Sequence, residues 1–479
     1  MALSQAKLKF IKKVAFNMLN KTLILILSGI AVGLWVFLSE GTFFILSFAL
    51  IIFFILKYTL PPEGRDFAFR LIIIGLALRI ILAVGYYYLY LVPGNADILG
   101  PDGESYSQRG WYISRLLLGQ NYNVVPNNSE YIFKNYNEIL YSYKGNIPPA
   151  DLYQVGIHSY FIAVLYAIYG YSPLMLRMVN STLSILTAIM IFFLAREIFD
   201  KKIGKISMAL LIFVPSCLIF SITVLRDPAI IFLLTLIVWL MLRFQNTRNI
   251  VFLILAFISV VLTSALRSAI ILPLLLFMLL SLLMSLKVKW FKKIIIAVII
   301  LFLLMSIPSL VNQVYYRLKP ENFFSTHIGY LNTPGNNYRI FPERCYESSN
   351  ATSNRLVGVG PLEVMQAAIS GIMHLFGEPL PVRFMQNKGY IFIFFQTALF
   401  LLFMPFILLG LLFGLRYRAY KMIPVSIYLL IFIALIVMSE GNVGTVIRHR
   451  DMLIPFLIIL GVAGCCAKLG KLNRPLTQK

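Results

Sequence analysis

The chain has 479 residues, of which 59% are hydrophobic and only 13% are charged, and its mean hydropathy is +0.84. A soluble protein of this length needs a polar surface that this composition cannot supply, so a soluble globular fold is excluded. The net charge of +23 comes mainly from lysines and arginines in short connections between apolar runs, which argues against a nucleic-acid-binding domain.

Apolar runs long enough to cross a bilayer recur along the whole chain. Lipid offers no partner for an unpaired backbone group, so each spanning run must be helical. We therefore predict an all-α polytopic membrane protein with about 12 transmembrane helices. The predicted spans lie near residues 22–39, 42–60, 69–92, 172–197, 204–222, 226–244, 249–266, 269–286, 294–312, 390–414, 423–440 and 452–468.

The basic connections predict the orientation of these spans. With twelve spans they all fall on one side, which we assign to the cytoplasm together with both termini. The first apolar run follows a basic segment and is long enough to span, so we expect a retained helix rather than a cleaved signal. The protein is therefore expected in the plasma or inner membrane. The basic stretches are 1–21, 57–70, 196–205, 243–248, 287–293, 416–421 and 468–479.

Two large polar regions, 93–151 and 313–389, then face outside. Residues 152–169 are apolar enough to form a further span. Counting them as a span would place the later basic clusters on the outer side of the membrane, so we interpret them as a helix in the outer interface. A second interfacial helix is expected near 361–376. The expected parts of the chain are a tail with two transmembrane helices (1–68), a transmembrane core (69–312), an outer loop region (313–389) and C-terminal transmembrane helices (390–479).

Ionisable side chains gather on the predicted outer side. Asp102 and Glu104 lie in the first outer loop, where they fit either a solvated turn or a catalytic site. Asp227, which follows Arg226 at a short outer turn, fits a helix start as well as a functional acid.

Lysine and arginine are usually retained in cytoplasmic loops. Arginines on the outer side are an exception to this rule, which binding of an anion would explain. Arg448-His449-Arg450 precedes the last span, and Arg383 lies at the mouth of another, where it fits a phosphate contact or a membrane anchor. Arginine offers forked donors that suit a lipid phosphate. The four cysteines and the scattered histidines give no disulfide framework and no zinc-ligand spacing.

The order of the motifs resembles the GT-C superfamily of integral membrane glycosyltransferases. The closest group is family 39, which includes protein O-mannosyltransferases and lipid A aminoarabinose transferases. The resemblance covers about residues 69–245. The motifs that carry it are Pro-Asp-Gly-Glu-Ser-Tyr at 101–106, Gly-Tyr-Ser-Pro at 170–173, Leu-Arg-Met-Val-Asn at 176–180, Ala-Arg-Glu-Ile-Phe-Asp at 195–200 and Gly-Thr-Val-Ile-Arg-His-Arg-Asp at 444–451.

This resemblance implies a GT-C-type bundle that transfers a sugar from a polyprenyl- or dolichyl-phosphate carrier on the outer face, in one inverting displacement. It implies that Asp102 is the first-loop acid, with Glu104 as its partner, and that Asp227 is the second-loop acid. The chain departs from the family in its Asp-Gly-Glu spacing, where many relatives have adjacent acids, and in its two extra N-terminal spans.

On this interpretation Asp102 is the general base. Glu104 and Asp227 orient the acceptor or bind a cation, for which Mg²⁺ or Mn²⁺ would suit hard oxygen ligands. Arg226, Arg383, Arg448, His449 and Arg450 are the candidate donor-phosphate ligands, and Tyr106 and Arg109 are candidates for positioning a lipid, glycan or protein acceptor.

Two other classes stay open at this point. An O-antigen polymerase or ligase would also place arginines outside, but would normally lack the acidic pair in the first large loop. A transporter or flippase of lipid-linked glycans would need polar groups near the bilayer midplane.

Overall fold

The computed structural model describes residues 40–59, 65–94, 97–120, 156–286, 338–349, 353–356, 358–380 and 391–470, together with single positions at 289, 291 and 295. The described chain is helical apart from one short hairpin. Its α-helices are α1 (Glu40–Thr59), α2 (Arg65–Tyr86), α3 (Pro101–Leu117), α4 (Ile157–Tyr169), α5 (Pro173–Ile198), α6 (Lys201–Phe213), α7 (Pro215–Ser221), α8 (Asp227–Thr247), α9 (Ile250–Leu266), α10 (Ile271–Ser285), α11 (Pro361–Gly377), α12 (Ile391–Ser439), α13 (Val443–Arg450) and α14 (Ile454–Lys468).

Shorter elements complete this part of the chain. A π-helical turn, Tyr87–Leu91, continues α2, and 3₁₀ turns occupy Ser268–Ile270 and Glu343–Cys345. Strand β1 (Tyr346–Ser349) pairs with β2 (Ser353–Leu356) in an antiparallel register that sets Tyr346 opposite Leu356. The helices α4 and α11 occupy the two regions that the sequence predicts as interfacial.

Within the described residues, five helices are long and apolar enough to cross a membrane, or up to seven if each of two bent helix pairs counts as one span. The chain is therefore a multi-pass helical membrane protein. The predicted count of about twelve is not reached in this part of the chain. The predicted spans 22–39 and 294–312 lie outside the described residues apart from position 295, and two others, 390–414 and 423–440, overlap the single helix α12.

Three helix breaks explain why apolar runs and observed helices differ. Val214 is extended before Pro215, as a residue preceding proline prefers, and α6 and α7 meet there at 58°. A bend of 57° separates α13 from α14. The helix α12 has 49 residues and would be about 74 Å long if straight, more than twice the hydrocarbon thickness, but Arg418 has non-helical dihedral angles. The predicted basic connection 416–421 lies at this break.

The helices α5 and α8 form the centre of the bundle. In each, 67% of the membrane-length window is buried, compared with 17% in α12. Their buried faces are mainly leucine, isoleucine and other aliphatic residues. The helices α6 and α14 pack against α5, and α9 packs against α8. The two central helices are therefore the frame on which side chains at the ends of the bundle are held.

Several of the predicted basic connections converge at one end of this frame, which we call the basic end. Glu197 at the end of α5 pairs with Arg243 at 3.6 Å and accepts a hydrogen bond from Asn246 at 2.7 Å. The Lys421 ammonium donates to the Glu197 carbonyl at 3.0 Å. The helix α8, with 21 residues, places Asp227 about 30 Å from this end.

Cysteine labelling tests the predicted orientation at both ends of α8. Ser105, next to Glu104, and Thr247 are both exposed. With the four native cysteines replaced, Ser105→Cys should react with a membrane-impermeant maleimide in intact cells. Thr247→Cys should react only after lysis, because basic connections stay in the cytoplasm. The opposite labelling pattern would reverse the assigned orientation.

Candidate active site

The Pro-Asp-Gly-Glu motif forms the first turn of α3. Pro101 occupies the first helical position, which suits its fixed φ and missing N–H, and Asp102 and Glu104 follow in the same turn. Carboxylates at a helix N-terminus are stabilised by the helix dipole. The motif therefore lies at a helix start, whereas the sequence predicts a polar loop. Asp102 is exposed and Glu104 is half-buried.

An ion pair joins this acidic turn to the far end of the chain. Nη1 of Arg448 donates to the Asp102 carboxylate at 2.8 Å, across 346 residues of sequence. The Asp102 side chain is 50% exposed and that of Arg448 is 24% exposed. Two residues that the sequence singles out separately are thus neighbours, and both are accessible to a substrate.

Gly103 explains why the two acids are separated by one residue. A Cβ atom at this position would lie 3.2 Å from Cβ of Val224 and 3.4 Å from its Cα and carbonyl carbon. The first turn of α3 therefore packs closely against residues 222–226, the non-helical segment that connects α7 to α8. A side chain in place of Gly103 would push the two acids away from this segment.

Gly103→Ala should therefore lower activity without unfolding the protein. The helix must shift by a few tenths of an ångström, and we expect up to about a tenfold loss of turnover from the displaced acids. Gly85→Ala in α2 is the matched control, since a Cβ atom there meets nothing within 4 Å. It should leave activity unchanged and stability equal or higher. Equal activity in both variants would contradict the role given to this contact.

Asp227 is the first residue of α8 and is buried, with 4% of its surface exposed. It follows the N-cap residue Arg226, whose side chain makes no capping hydrogen bond. The Asp227 carboxylate lies 3.8 Å from Nη1 of Arg267. The sequence allowed Asp227 to start a helix, and it does. Its contact with Arg267 was not predicted.

Arg267 lies at the centre of a mixed cluster of charges. Burial lowers the pKa of its guanidinium, and the negative charges of Asp227 and Glu440 act in the opposite direction. The positive charges of Arg226 and Arg448 lower the pKa further, so all four residues lie within electrostatic range of Arg267. Negative charge arriving among these three arginines would be stabilised.

Arg226 and Tyr106 connect the two acid-bearing segments. Arg226 donates to the Leu266 carbonyl at 2.8 Å, and its guanidinium lies 5.7 Å from the centre of the Tyr106 ring. The Tyr106 ring packs edge-on against His158 at 5.2 Å. His158 is buried and its Nε2 donates to the Val224 carbonyl at 3.2 Å. Burial lowers the pKa of this imidazole.

The Arg-His-Arg sequence forms the last turn of the helix α13. Successive helical residues are about 100° apart, and the three side chains therefore diverge. Arg448 reaches Asp102, whereas Nδ1 of His449 lies 2.6 Å from Glu440. Arg450 is 1% exposed and donates to the Glu378 carbonyl at 2.7 Å. Of the three, Arg448 is placed beside the acidic turn.

The other predicted residues lie around or outside this cluster. Glu104 accepts a hydrogen bond from Gln108 at 3.2 Å, and burial, with a smaller effect from Asp97, raises the pKa of its carboxyl. Arg109 is exposed on α3. Arg383 lies outside the described residues.

The described acids do not form a metal site. In this part of the chain no group of three or more His, Cys, Asp or Glu side chains is placed to hold an ion. Asp102 and Asp227 each contact an arginine. Magnesium and manganese prefer several oxygen ligands around one point, which this donor set does not provide.

Arg267 and Glu440 are the functional candidates that sequence reasoning missed. Each is a single charge at the edge of an apolar run, between Leu266 and Ser268 or between Ser439 and Gly441. Charges in such positions are expensive to bury and are often functional, so the signal was present. It is weak, because many charges at span ends only contact lipid headgroups or water.

Comparison with known proteins identifies part of the chain. Residues 157–311 match the family model described as dolichyl-phosphate-mannose-protein mannosyltransferase. The match covers about a third of the chain and includes α4 to α10 with Asp227 and Arg267. No curated protein and no solved structure matches the chain.

This match favours sugar transfer over the polymerase, ligase and transporter alternatives. The matched segment contains the central helices α5 and α8. The acidic turn, which pairs with Arg448, packs against residues 222–226 of this segment. Over these residues the chain resembles the dolichyl-phosphate-mannose-protein mannosyltransferase family, a GT-C family of membrane glycosyltransferases that use a lipid-phosphate sugar donor.

Proposed function

We propose that the protein moves a sugar from a polyprenyl- or dolichyl-phosphate carrier to a hydroxyl of a lipid, glycan or protein, with Asp102 as general base. The observation that carries this proposal is the 2.8 Å ion pair between Asp102 and Arg448. It sets a carboxylate that can accept a proton beside a guanidinium that can hold a phosphate.

In the proposed step, the acceptor hydroxyl gives its proton to the Asp102 carboxylate while its oxygen forms a bond to the anomeric carbon of the sugar. The bond between that carbon and the carrier phosphate breaks, and the electron pair leaves with the phosphate. One bond forms as one breaks, and the anomeric configuration inverts. General-base assistance of this kind typically contributes about a hundredfold to ten thousandfold in rate.

The departing phosphate gains negative charge, so its stabilisation falls to nearby cations. Arg448 is the best-placed ligand, because Asp102 occupies one nitrogen of a guanidinium that carries five N–H donors. Arg226 and Arg267 lie in the same cluster of charges and would add to the attraction. Arg450 and His449 are buried against Glu378 and Glu440, and we assign them to holding α13 in place.

Acceptor positioning falls to the side chains around the acidic turn. Glu104 lies one residue beyond Gly103, and Tyr106 presents its ring between Arg226 and His158. The exposed Arg109 follows on the same helix. Asp227 faces Arg267 and would keep that guanidinium oriented towards the site. Residues from two of the predicted parts of the chain, the core 69–312 and the C-terminal helices 390–479, would then form the site.

We propose that this site opens to the outer face of the membrane. The support is its distance from the basic end: the helix α8 spans about 30 Å between Asp227 and the arginine and lysine contacts of Glu197. Basic connections are retained in the cytoplasm. A polyprenyl-phosphate carrier presents its headgroup at the membrane surface, which is where the charged cluster would then lie.

Incubation of the purified full-length chain with a panel of lipid-phosphate sugars tests the function. Dolichyl-phosphate mannose is the first member, followed by undecaprenyl- and dolichyl-phosphate carriers of other hexoses and pentoses. We expect sugar transfer to membrane-extract acceptors, or hydrolysis of one donor, and loss of both in Asp102→Asn. If the wild-type chain turns over no member of the panel, the proposed function is contradicted.

A further inference from the structure

The Leu-Arg-Met-Val-Asn motif of α5 has no role in the chemistry described above, yet its polar side chains are buried. Arg177 is 3% exposed and Asn180 is 4% exposed. One helical turn apart, they face the same side of α5, towards the non-helical segment 222–226. A charge this deeply buried is costly unless it is paired and hydrogen-bonded, so its partners are informative.

Arg177 and Asn180 satisfy the backbone of the segment that leads to Asp227. Nη1 of Arg177 donates to the Ile222 carbonyl at 3.2 Å. The Asn180 amide donates to the carbonyls of Thr223 at 2.8 Å and Leu225 at 2.7 Å. Residues 222–226 are not helical, so their carbonyls lack the backbone partners of a regular helix or sheet. The side chains of Arg177 and Asn180 supply these hydrogen bonds and hold the segment in one conformation.

The other nitrogen of Arg177 holds the turn that precedes Asp102. Nη2 pairs with the Asp97 carboxylate at 3.0 Å, and both side chains are at most 5% exposed. The second oxygen of Asp97 accepts from the Gly100 amide at 2.9 Å and from the Tyr86 hydroxyl at 3.0 Å. Gly100 is the N-cap residue of α3, so Asp97 ties the start of that helix to α2 and α5.

We propose that Asp97 is a positioning residue for Asp102. Asp97 binds the Arg177 guanidinium, which also binds segment 222–226, so the start of α3 and this segment are held by one side chain. Asp97 thereby fixes the position of Asp102 relative to Arg226 and Asp227. The close packing supports this arrangement, because a Cβ atom at Gly100 would lie 3.0 Å from Thr223 and one at Gly103 would lie 3.2 Å from Val224. Asp97 touches no substrate and acts through Asp102. The inference rests on the proposed role of Asp102 as base.

Asp97→Asn is the direct test, since it preserves shape but removes the charge that faces Arg177. In the full-length chain we expect turnover of the donor that the wild type uses to fall about tenfold to a hundredfold, the effect of misplacing a catalytic group by up to 1 Å. The donor KM and the fraction of molecules that bind donor should stay near wild type. A loss of donor-binding capacity in proportion to activity would indicate a merely structural role and overturn the proposal.

Tyr86→Phe provides a milder change in case Asp97→Asn does not fold. It removes one hydrogen bond to Asp97 and keeps the ring, which lies 5.8 Å from the Arg177 guanidinium. We expect a turnover loss of about threefold to tenfold. Tyr87→Phe is the matched control, because the neighbouring hydroxyl takes no part in the described hydrogen bonds of Asp97. Equal turnover in Tyr86→Phe and Tyr87→Phe would contradict the proposal.

A double variant distinguishes positioning from general destabilisation. If Asp97 acts through the Asp102 carboxylate, Asp97→Asn should cause less than about a twofold further loss in an Asp102→Asn background. If the activity losses of the two single variants multiply in the double variant, Asp97 does not act through Asp102. Wild-type activity in Asp102→Asn alone would instead contradict the proposed function, so the two failures are distinguishable.

A geometric readout requires no turnover. Asp102→Cys with Arg448→Cys, with the native cysteines replaced, should cross-link rapidly with a short bifunctional thiol reagent, because the native side chains are in contact. Adding Tyr86→Phe should slow this cross-linking, whereas adding Tyr87→Phe should not. Unchanged rates in both would show that Asp97 does not set the position of the acidic turn.

Discussion

Asp102→Asn should leave a folded, membrane-inserted protein whose sugar transfer is reduced by at least about a hundredfold, the lower limit of general-base catalysis. Asparagine retains the size of aspartate and an oxygen that can still accept from Arg448, so the contact between α3 and α13 can persist. It lacks a carboxylate that can take the acceptor proton. The measurement is transfer per folded molecule, with thermal stability recorded in parallel.

Asp66→Asn is the matched control for this change. Asp66 is an exposed acid at the second position of α2, as Asp102 is at the second position of α3. Both substitutions remove the same favourable interaction with a helix N-terminus, which is worth up to about 1 kcal/mol at an exposed site. Only Asp102→Asn should abolish transfer. Wild-type activity in Asp102→Asn would leave Asp227 as the next candidate base.

Glu104→Gln separates the roles of the two acids in α3. Its carboxyl is half-buried, and glutamine can still accept the hydrogen bond from Gln108. If Glu104 only orients the acceptor, the loss of transfer should be clearly smaller than in Asp102→Asn. A comparable loss would mean that the two carboxylates act together.

Arg448→Ala and Arg450→Ala should fail in different ways. Arg448 is partly exposed, and its removal should raise the donor KM about tenfold to a hundredfold, the value of a hydrogen bond between charged groups. Thermal stability should change little. Arg450 is fully buried and holds the Glu378 carbonyl, so Arg450→Ala should lower the free energy of unfolding by about 2–5 kcal/mol.

Donor titrations and thermal unfolding of the purified variants in detergent measure both effects. Arg344→Ala is the control, because this exposed arginine pairs with Glu363 on the surface and should affect neither quantity. If Arg448→Ala keeps the wild-type donor KM, the phosphate must be held elsewhere in the cluster, with Arg226 and Arg267 as the remaining candidates.

The long apolar runs and the helix-starting motifs could be interpreted from the sequence because they are local properties. Run length and hydropathy are set by neighbouring residues and reveal a membrane helix. Pro101 and Pro228 favour the first turn of a helix wherever the chain goes next. The GT-C resemblance rested on short motifs of the same local kind, and the family match over residues 157–311 confirms it.

The site itself could not be predicted in the same way. The helix α13 has eight residues and ends in Arg-His-Arg, so its sequence has the composition of a polar loop. Its helical form depends on the surrounding bundle, which buries Val446, Ile447 and Arg450 together. Tertiary packing therefore decided which arginine faces Asp102 and which is buried.

The amino-acid sequence alone predicted a helical membrane glycosyltransferase and proposed Asp102 and Asp227 as the acids to test. Tertiary structure alone decided that Asp102 meets Arg448, that Asp227 meets Arg267 and that Asp97 shares Arg177 with segment 222–226. The physical reason is the range of each interaction. Helix formation and hydropathy act over a few residues, whereas an ion pair across 346 residues exists only once the helices between them have packed.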